Sequence, residues 1–137
     1  MAGLADADNT ENNENTPTPL LILASCPVDN RPEGAPRLWG MIKIRVIENS
    51  LAFSIYKKTE IKEAFNCNYE LNPAFREQLE SKGLKVSGVS ADGGARIIEL
   101  PDRRFYIATG FQPQLASEEG KPHPLIVAWL QAALYAK

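Results

Sequence analysis

Short apolar runs alternate with polar and proline-rich stretches along most of the chain. Residues 20–24 form an unbroken apolar run, which is typical of a strand buried on both faces of a parallel sheet. Four further segments have strand-like patterns: residues 40–47, 84–89, 95–100 and 105–109. Asp92-Gly93-Gly94 separates the second and third of these segments and predicts a hairpin turn.

Capping residues predict two short helices between these strands. Ser50 is a suitable N-cap for a helix that reaches Tyr56. Asn72 as N-cap, Pro73 at the first helical position and Gly83 past the end bracket the second helix.

A third helix is predicted at residues 124–136. Its packing face is expected to carry six apolar side chains: Leu125, Ile126, Trp129, Leu130, Ala133 and Leu134. His123, the only histidine of the chain, stands directly before this helix. We interpret it as the residue that begins the helix and not as a catalyst.

The composition indicates one domain with a polar N-terminal segment. The 137 residues are 44% hydrophobic, which is enough for a core. Residues 1–19 are acidic and rich in Asn, and predict a flexible segment before a domain at residues 20–137.

Charge and cysteine content exclude several functional classes. A net charge of -2 gives no sign of a nucleic-acid or membrane surface, so we expect neither partner. Residues 1–19 are also the opposite of a signal peptide, and no apolar run approaches membrane-spanning length. Two cysteines are too few for a disulfide framework, which favours the reducing cytoplasm.

Cys67 is the side chain with the most obvious nucleophilic chemistry. Its neighbours Asn66 and Asn68 carry no positive charge that would activate a thiol, so an inert, small hydrophobic role is favoured. Cys26, which precedes Pro27, is interpreted as structural. We find no spacing of His, Cys and carboxylate ligands typical of a metal site, and expect neither metal nor cofactor.

The run Phe111-Gln112-Pro113-Gln114 resembles a motif of the class I glutamine amidotransferase domain of CTP synthase. The family motif reads Phe-His-Pro-Glu and supplies the histidine and glutamate of a Cys-His-Glu triad. Gln112 and Gln114 stand at these two catalytic positions. A glutamine side chain does not titrate near neutrality and cannot relay a proton as imidazole does.

Other segments extend the resemblance over nearly the whole chain. Residues 2–11, 40–44, 63–72 and 98–102 each match a segment of the family. The resemblance implies an α/β, flavodoxin-like fold that corresponds to the C-terminal half of the amidotransferase domain, with a mixed sheet and flanking helices. Residues 20–137 would then be a partial amidotransferase-like domain.

The same resemblance assigns substrate-binding positions. Glu11 corresponds to the glutamate that holds the substrate's amino group. Asn68 stands where the family has an arginine for the substrate's carboxylate, and an asparagine cannot form that bidentate ion pair. The family's nucleophilic cysteine lies upstream of the segment that residue 1 resembles. The run Asn66-Cys67-Asn68-Tyr69, taken with the two glutamines, is similar to diverged CTP synthase C-terminal region-related proteins that lack the triad.

We therefore expect no glutamine hydrolysis. The leading hypothesis is a ligand-binding or partner-binding role, and the alternative is a thiol-dependent enzyme that uses Cys67. The expected pocket is lined by Glu11, Asn68, Gln112 and Gln114, whose amides and single carboxylate favour a small neutral or amine-bearing ligand. Because half a domain leaves sheet edges uncovered, we also expect either a homodimer or a partner that supplies the N-terminal half.

Overall fold

Two β-sheets and three short helices form the part of the chain that the computed structural model describes, residues 3–25 and 28–135. The strands in chain order are β1 (Ala7–Asn9), β2 (Thr18–Leu23), β3 (Leu38–Val46), β4 (Glu60–Cys67), β5 (Tyr69–Leu71), β6 (Lys85–Val89), β7 (Ala95–Glu99) and β8 (Ile107–Thr109). The helices are α1 (Leu51–Tyr56), α2 (Arg76–Ser81) and α3 (Pro124–Leu134). None of these helices is long and apolar enough to cross a membrane.

The strands divide into a three-stranded and a five-stranded sheet. The smaller sheet has the order β1-β2-β5, and the larger sheet has the order β4-β3-β6-β7-β8. Strands β1 and β2 are parallel, while every other pairing is antiparallel. The predicted mixed α/β architecture is therefore confirmed, and the predicted hairpin is the β6–β7 pair.

Strand β2 differs from its prediction in its environment. It lies in the middle of the small sheet, where Leu21 and Leu23 are 38% and 50% exposed. The prediction of a strand buried on both faces of a parallel sheet was wrong, because the apolar run packs through one face only. Cys26, expected to be structural beyond this strand, lies outside the described residues.

The predicted helix caps are confirmed in detail. The Ser50 hydroxyl accepts a hydrogen bond from the Phe53 N–H at 3.0 Å. The Asn72 side chain accepts one from the Ala74 N–H at 3.0 Å, at the start of a 3-10 turn that leads into α2. Gly83 follows α2 with φ +92°, a conformation that glycine adopts without strain.

Helix α3 is less buried than predicted. Leu125 packs into the core, but Trp129 and Leu134 are 57% and 80% exposed. The predicted packing face is therefore wrong at its outer residues, because the described part of the chain covers only one side of the helix. Ala136, at the predicted end of the helix, lies outside that part.

Strand β4 had no counterpart among the predicted elements. Its inward face carries Ile61, Glu63 and Phe65, all buried. The buried glutamate interrupts the apolar alternation by which strands are recognised. Strand β1 was also not predicted, because the polar composition of residues 1–19 gives no strand signal.

Candidate functional site

A cavity of about 370 Å³ lies between the two sheets. Its volume falls within the range of small-molecule sites. The small sheet and the loop that follows β1 supply Asn9, Glu11, Leu21, Tyr69, Glu70 and Leu71 to its wall. The large sheet and the segment that follows β8 supply Cys67, Ala95, Arg96, Ile98, Ala108, Thr109, Gly110 and Gln112.

Glu11 is held at this cavity by the turn after β1. Its backbone N–H donates to the Asn9 side chain at 3.0 Å, and the N–H of Thr10 donates to the Leu21 carbonyl at 3.0 Å. The Glu11 carboxylate accepts one long hydrogen bond, from Asn9 Nδ2 at 3.4 Å. Within residues 3–25 and 28–135 we find no cationic group paired with this carboxylate.

Gln112 closes the edge of the large sheet. Its backbone N–H donates to the Ala64 carbonyl at 3.1 Å, and its Oε1 accepts from the Asn66 N–H at 2.8 Å. Both contacts are made to the edge strand β4. The side-chain oxygen thus replaces a backbone carbonyl of a neighbouring strand.

Cys67 lines the cavity at the end of β4 and is partly buried. Its thiol is paired locally with Tyr69: Sγ donates to the Tyr69 carbonyl and accepts from the Tyr69 N–H, both at 3.4 Å.

Two of the expected pocket residues lie elsewhere. The Asn68 side chain accepts from the Arg37 N–H at 2.9 Å, and Gln114 is exposed on a 3-10 turn at Pro113–Ala116. The structure therefore brings Glu11 and Gln112 to one cavity, while Asn68 and Gln114 do not contribute to its wall.

Arg96 is a cavity residue that the sequence analysis missed. The side chain is 2% exposed and pairs with Glu70 at 2.9 Å and with Asp92 at 3.1 Å. Its Nε donates to Ser90 Oγ at 2.6 Å, and its guanidinium lies 5.9 Å from the centre of the Phe65 ring. The sequence signal for a buried ion pair was a charged residue at an inward position of a predicted strand. Because its partners lie on other segments, the pair could not be recognised from this signal.

The β6–β7 turn packs closely against Arg96 and its partners. Burial raises the pKa of Asp92, but hydrogen bonds from Ser90 and Gly94 and the charge of Arg96 outweigh burial, so the pKa lies below its usual value. A Cβ atom on Gly94 would lie 2.5 Å from Arg96 Nη2. A side chain at this position would therefore have to displace the guanidinium from its contacts with Glu70, Asp92 and Ser90.

A second buried polar cluster lies outside the cavity wall. His123 begins α3, as expected, and its Nδ1 accepts from the Leu125 N–H at 3.2 Å. Its Nε2 lies 2.9 Å from Glu63 Oε2, while Glu63 Oε1 accepts from the Tyr56 hydroxyl at 2.7 Å. Burial and this hydrogen bond raise the pKa of Tyr56 well above its usual range. Both imidazole nitrogens therefore have hydrogen-bond partners other than Cys67.

Sequence comparison relates the chain to CTP synthases, although no family model matches it. It is 37% identical to CTP synthase from Staphylococcus saprophyticus over 135 residues, which cover 98% of this chain and 25% of that protein. It is 38% identical to CTP synthase from Caldanaerobacter subterraneus over 138 residues, which cover 100% of this chain and 26% of that protein. The chain thus spans about a quarter of the length of these relatives.

Structural comparison gives the same relationship at the level of the fold. The glutaminase domain of CTP synthase from Trypanosoma brucei, with bound acivicin, superposes with a TM-score of 0.86 at 24% identity. The match covers 100% of this chain and 54% of that domain chain. The chain is therefore homologous to CTP synthase and has the fold of its glutaminase domain, a class I glutamine amidotransferase fold.

Proposed function

We propose that this protein is a CTP synthase-related amidotransferase homologue that binds a small ligand and does not hydrolyse glutamine. The proposal rests on Gln112. The motif resemblance aligns this residue with the family's catalytic histidine, but a glutamine does not titrate near neutrality. Its Oε1 already accepts a hydrogen bond from the Asn66 N–H. We place the protein in the cytoplasm, since two cysteines give no disulfide framework.

The only histidine of the sequence cannot easily replace the missing base. His123 is 4% exposed, and both of its ring nitrogens are hydrogen-bonded, to Glu63 and to the Leu125 N–H. Moving the ring toward Cys67 would leave a buried carboxylate without this donor.

The cavity chemistry supports a neutral or amine-bearing ligand. Glu11 offers a carboxylate without a paired cation among the described residues, and Gln112 offers an amide. Arg96, although cationic, is paired with Glu70 and Asp92. A ligand carboxylate would therefore find no free positive charge on this wall.

A thiol-dependent enzyme that uses Cys67 is the alternative, and it has less support. The thiol is paired with the Tyr69 backbone, and no imidazole lines the cavity. Carbamidomethylation of Cys67 in a Cys26→Ser background tests it, because rapid modification at neutral pH would favour a reactive thiol.

Ammonia release and calorimetric titration test the proposed function together. We expect the natural sequence to release no more ammonia from glutamine than a control without protein. The Gln112→His/Gln114→Glu double variant should give the same result. We expect binding of 4-aminobutanamide, which is glutamine without its carboxylate, and its loss in Glu11→Gln. Glu14→Gln removes the same charge from an exposed residue that does not line the cavity, and should bind normally. Glutamine hydrolysis by the natural sequence would disprove the proposal.

A further inference from the structure

We propose that the free edge of β8 is a self-association site, at which a second copy of this chain adds its own β8 in antiparallel orientation. A twofold axis through Ala108 would then join the two large sheets into one. This inference goes beyond the proposed function and does not depend on what the cavity binds.

The pairing of β7 with β8 shows which backbone groups of β8 point outward. The Gly110 N–H donates to the Arg96 carbonyl at 2.9 Å. In an antiparallel pair every second residue takes part in such hydrogen bonds, so Ala108 also bonds to β7. The backbone N–H and C=O groups of Ile107 and Thr109 therefore point away from the sheet. We find no hydrogen-bond partner for these four groups within residues 3–25 and 28–135.

The opposite edge of the large sheet, at β4, is protected. Gln112 occupies the place of a further strand there, because its N–H donates to the Ala64 carbonyl and its Oε1 accepts from the Asn66 N–H. The rest of that edge carries Lys62 and Glu60, and charged side chains oppose edge-to-edge pairing. Strand β8 contains no charged residue and no proline. It is therefore the edge that can accept another strand.

The outward groups of β8 are complementary to themselves. If Ala108 lies opposite its counterpart, Ile107 of one copy lies opposite the partner's Thr109. The N–H and C=O groups of both residues then form four hydrogen bonds across the twofold axis. Such an isologous contact closes at two subunits, so it gives a dimer and not a fibre.

An apolar groove beside β8 supplies the surface that a three-residue strand lacks. The groove has a volume of about 180 Å³. Phe105 and Ile107 line it from the strand side, and Leu125, Ile126 and Trp129 line it from α3. A twofold axis perpendicular to the sheet keeps both α3 helices on the same face, so the grooves of the two copies adjoin. The four hydrogen bonds would set the register, and burial of these apolar side chains would supply the affinity.

Dimerisation in this register would bring the two ligand cavities together. Ala108 and Gly110 line the cavity between the two sheets, and Ala108 lies on the proposed axis. Each cavity would therefore lie beside its counterpart in the dimer.

A cysteine at position 108 tests the register. Residues opposite each other in a non-hydrogen-bonded antiparallel pair have Cα atoms about 4.5 Å apart, a distance that a disulfide can span. Ala108→Cys in a Cys26→Ser/Cys67→Ser background should therefore form a covalent dimer with oxidised glutathione, seen on a non-reducing gel. Tyr106→Cys in the same background is the control. Position 106 is exposed, but it would lie about 14 Å from its counterpart and should not cross-link.

A proline at position 109 tests the hydrogen bonds. Thr109→Pro removes an outward N–H from each copy without removing a hydrogen bond to β7. Two of the four hydrogen bonds would be lost, so the dissociation constant of the dimer in sedimentation equilibrium should rise by about tenfold to a hundredfold. Thr109→Val is the matched control, because it keeps the N–H and loses only the hydroxyl, which donates to the Phe111 carbonyl at 2.9 Å. Its dissociation constant should equal that of the natural sequence.

The remaining outcomes contradict the proposal. A natural sequence that stays monomeric at all concentrations would exclude a second copy as the occupant of this edge. A dimer that cross-links equally through positions 106 and 108 would have another register, and one that Thr109→Pro does not weaken would use another surface. If Thr109→Pro does not fold, the pair of cysteine variants decides. Because these experiments contain no ligand, their failure would leave the proposed function intact.

Discussion

His123 Nε2 lies 2.9 and 3.0 Å from the two carboxylate oxygens of Glu63, and both residues are buried. The N–H of Leu125 needs an acceptor at Nδ1, so the imidazole proton is on Nε2 and is donated to Glu63. Since Tyr56 donates to the same carboxylate, this cluster joins α1, β4 and α3. A buried carboxylate in the core thus depends on two donors from separate helical segments.

Replacing His123 tests this dependence. His123→Ala removes one donor from a buried carboxylate and also the N-cap of α3. We expect the free energy of unfolding in urea to fall by about 2 to 4 kcal/mol, because a buried acceptor loses a donor and the helix loses its N-cap. Lys121→Ala, at an exposed neighbour, should change it by less than about 0.5 kcal/mol. A loss of less than about 1 kcal/mol in His123→Ala would show that water or rearrangement satisfies Glu63.

Tyr56 should make stability fall at alkaline pH. The folded protein raises the pKa of Tyr56, through burial and the hydrogen bond to Glu63, so it favours the protonated hydroxyl. The unfolded chain ionises near pH 10, so the contribution is complete below that pH and is lost as pH rises toward the folded-state pKa. The slope is at most about 1.4 kcal/mol per pH unit.

Comparison with Tyr56→Phe isolates this contribution from other groups that titrate in the same range. The variant should be less stable at neutral pH by about 1 to 3 kcal/mol, because Glu63 loses a donor, and its stability should fall less steeply above pH 10. Tyr106→Phe changes an exposed ring and serves as the matched control. Identical pH profiles for the natural sequence and Tyr56→Phe would contradict the prediction.

Local signals explain which parts of the fold could be predicted from sequence. Ser50 and Asn72 cap helices through contacts to residues two or three positions away, and both caps were predictable. Strand β4 was not, because Glu63 occupies an inward position and is satisfied by Tyr56 and His123 from other segments. Pattern analysis treats such a residue as a surface charge.

The candidate site was only partly predictable for a similar reason. The family resemblance placed Glu11 and Gln112 in one pocket, and both side chains line the cavity. It gave no information on Arg96, whose partner Glu70 is on another strand. It also placed Asn68 in the pocket, although that side chain accepts a hydrogen bond from the Arg37 backbone. Family position indicates where a backbone runs, whereas side-chain contacts depend on the residues actually present.

Arg96 should stabilise the fold mainly by compensating Glu70. Arg96→Met would leave a buried carboxylate with hydrogen bonds from Ser25 only, and we expect a loss of about 3 to 5 kcal/mol in the free energy of unfolding. Arg96→Met/Glu70→Gln removes both charges and should recover part of that loss, because the amide oxygen can still accept from Ser25. Arg103→Met, which breaks an exposed pair with Asp102, is the control and should cost less than about 1 kcal/mol. A double variant no more stable than Arg96→Met would contradict this account.

The exposed face of α3 should promote association. Pro124–Leu134 contains no charged residue, and a helix that is apolar on all sides is normally buried. Trp129 and Leu134 are nevertheless exposed in the single chain. We therefore expect sedimentation velocity to show concentration-dependent self-association, or binding to a partner that covers this face.

Leu134→Glu should shift the distribution toward monomer without lowering the free energy of unfolding, because the side chain makes little contact with the core. Met41→Glu, which alters an exposed apolar residue on β3 next to Lys43, is the matched control and should leave the distribution unchanged. If the natural sequence stays monomeric at all concentrations and binds no partner through α3, the exposed apolar face of this helix does not promote association.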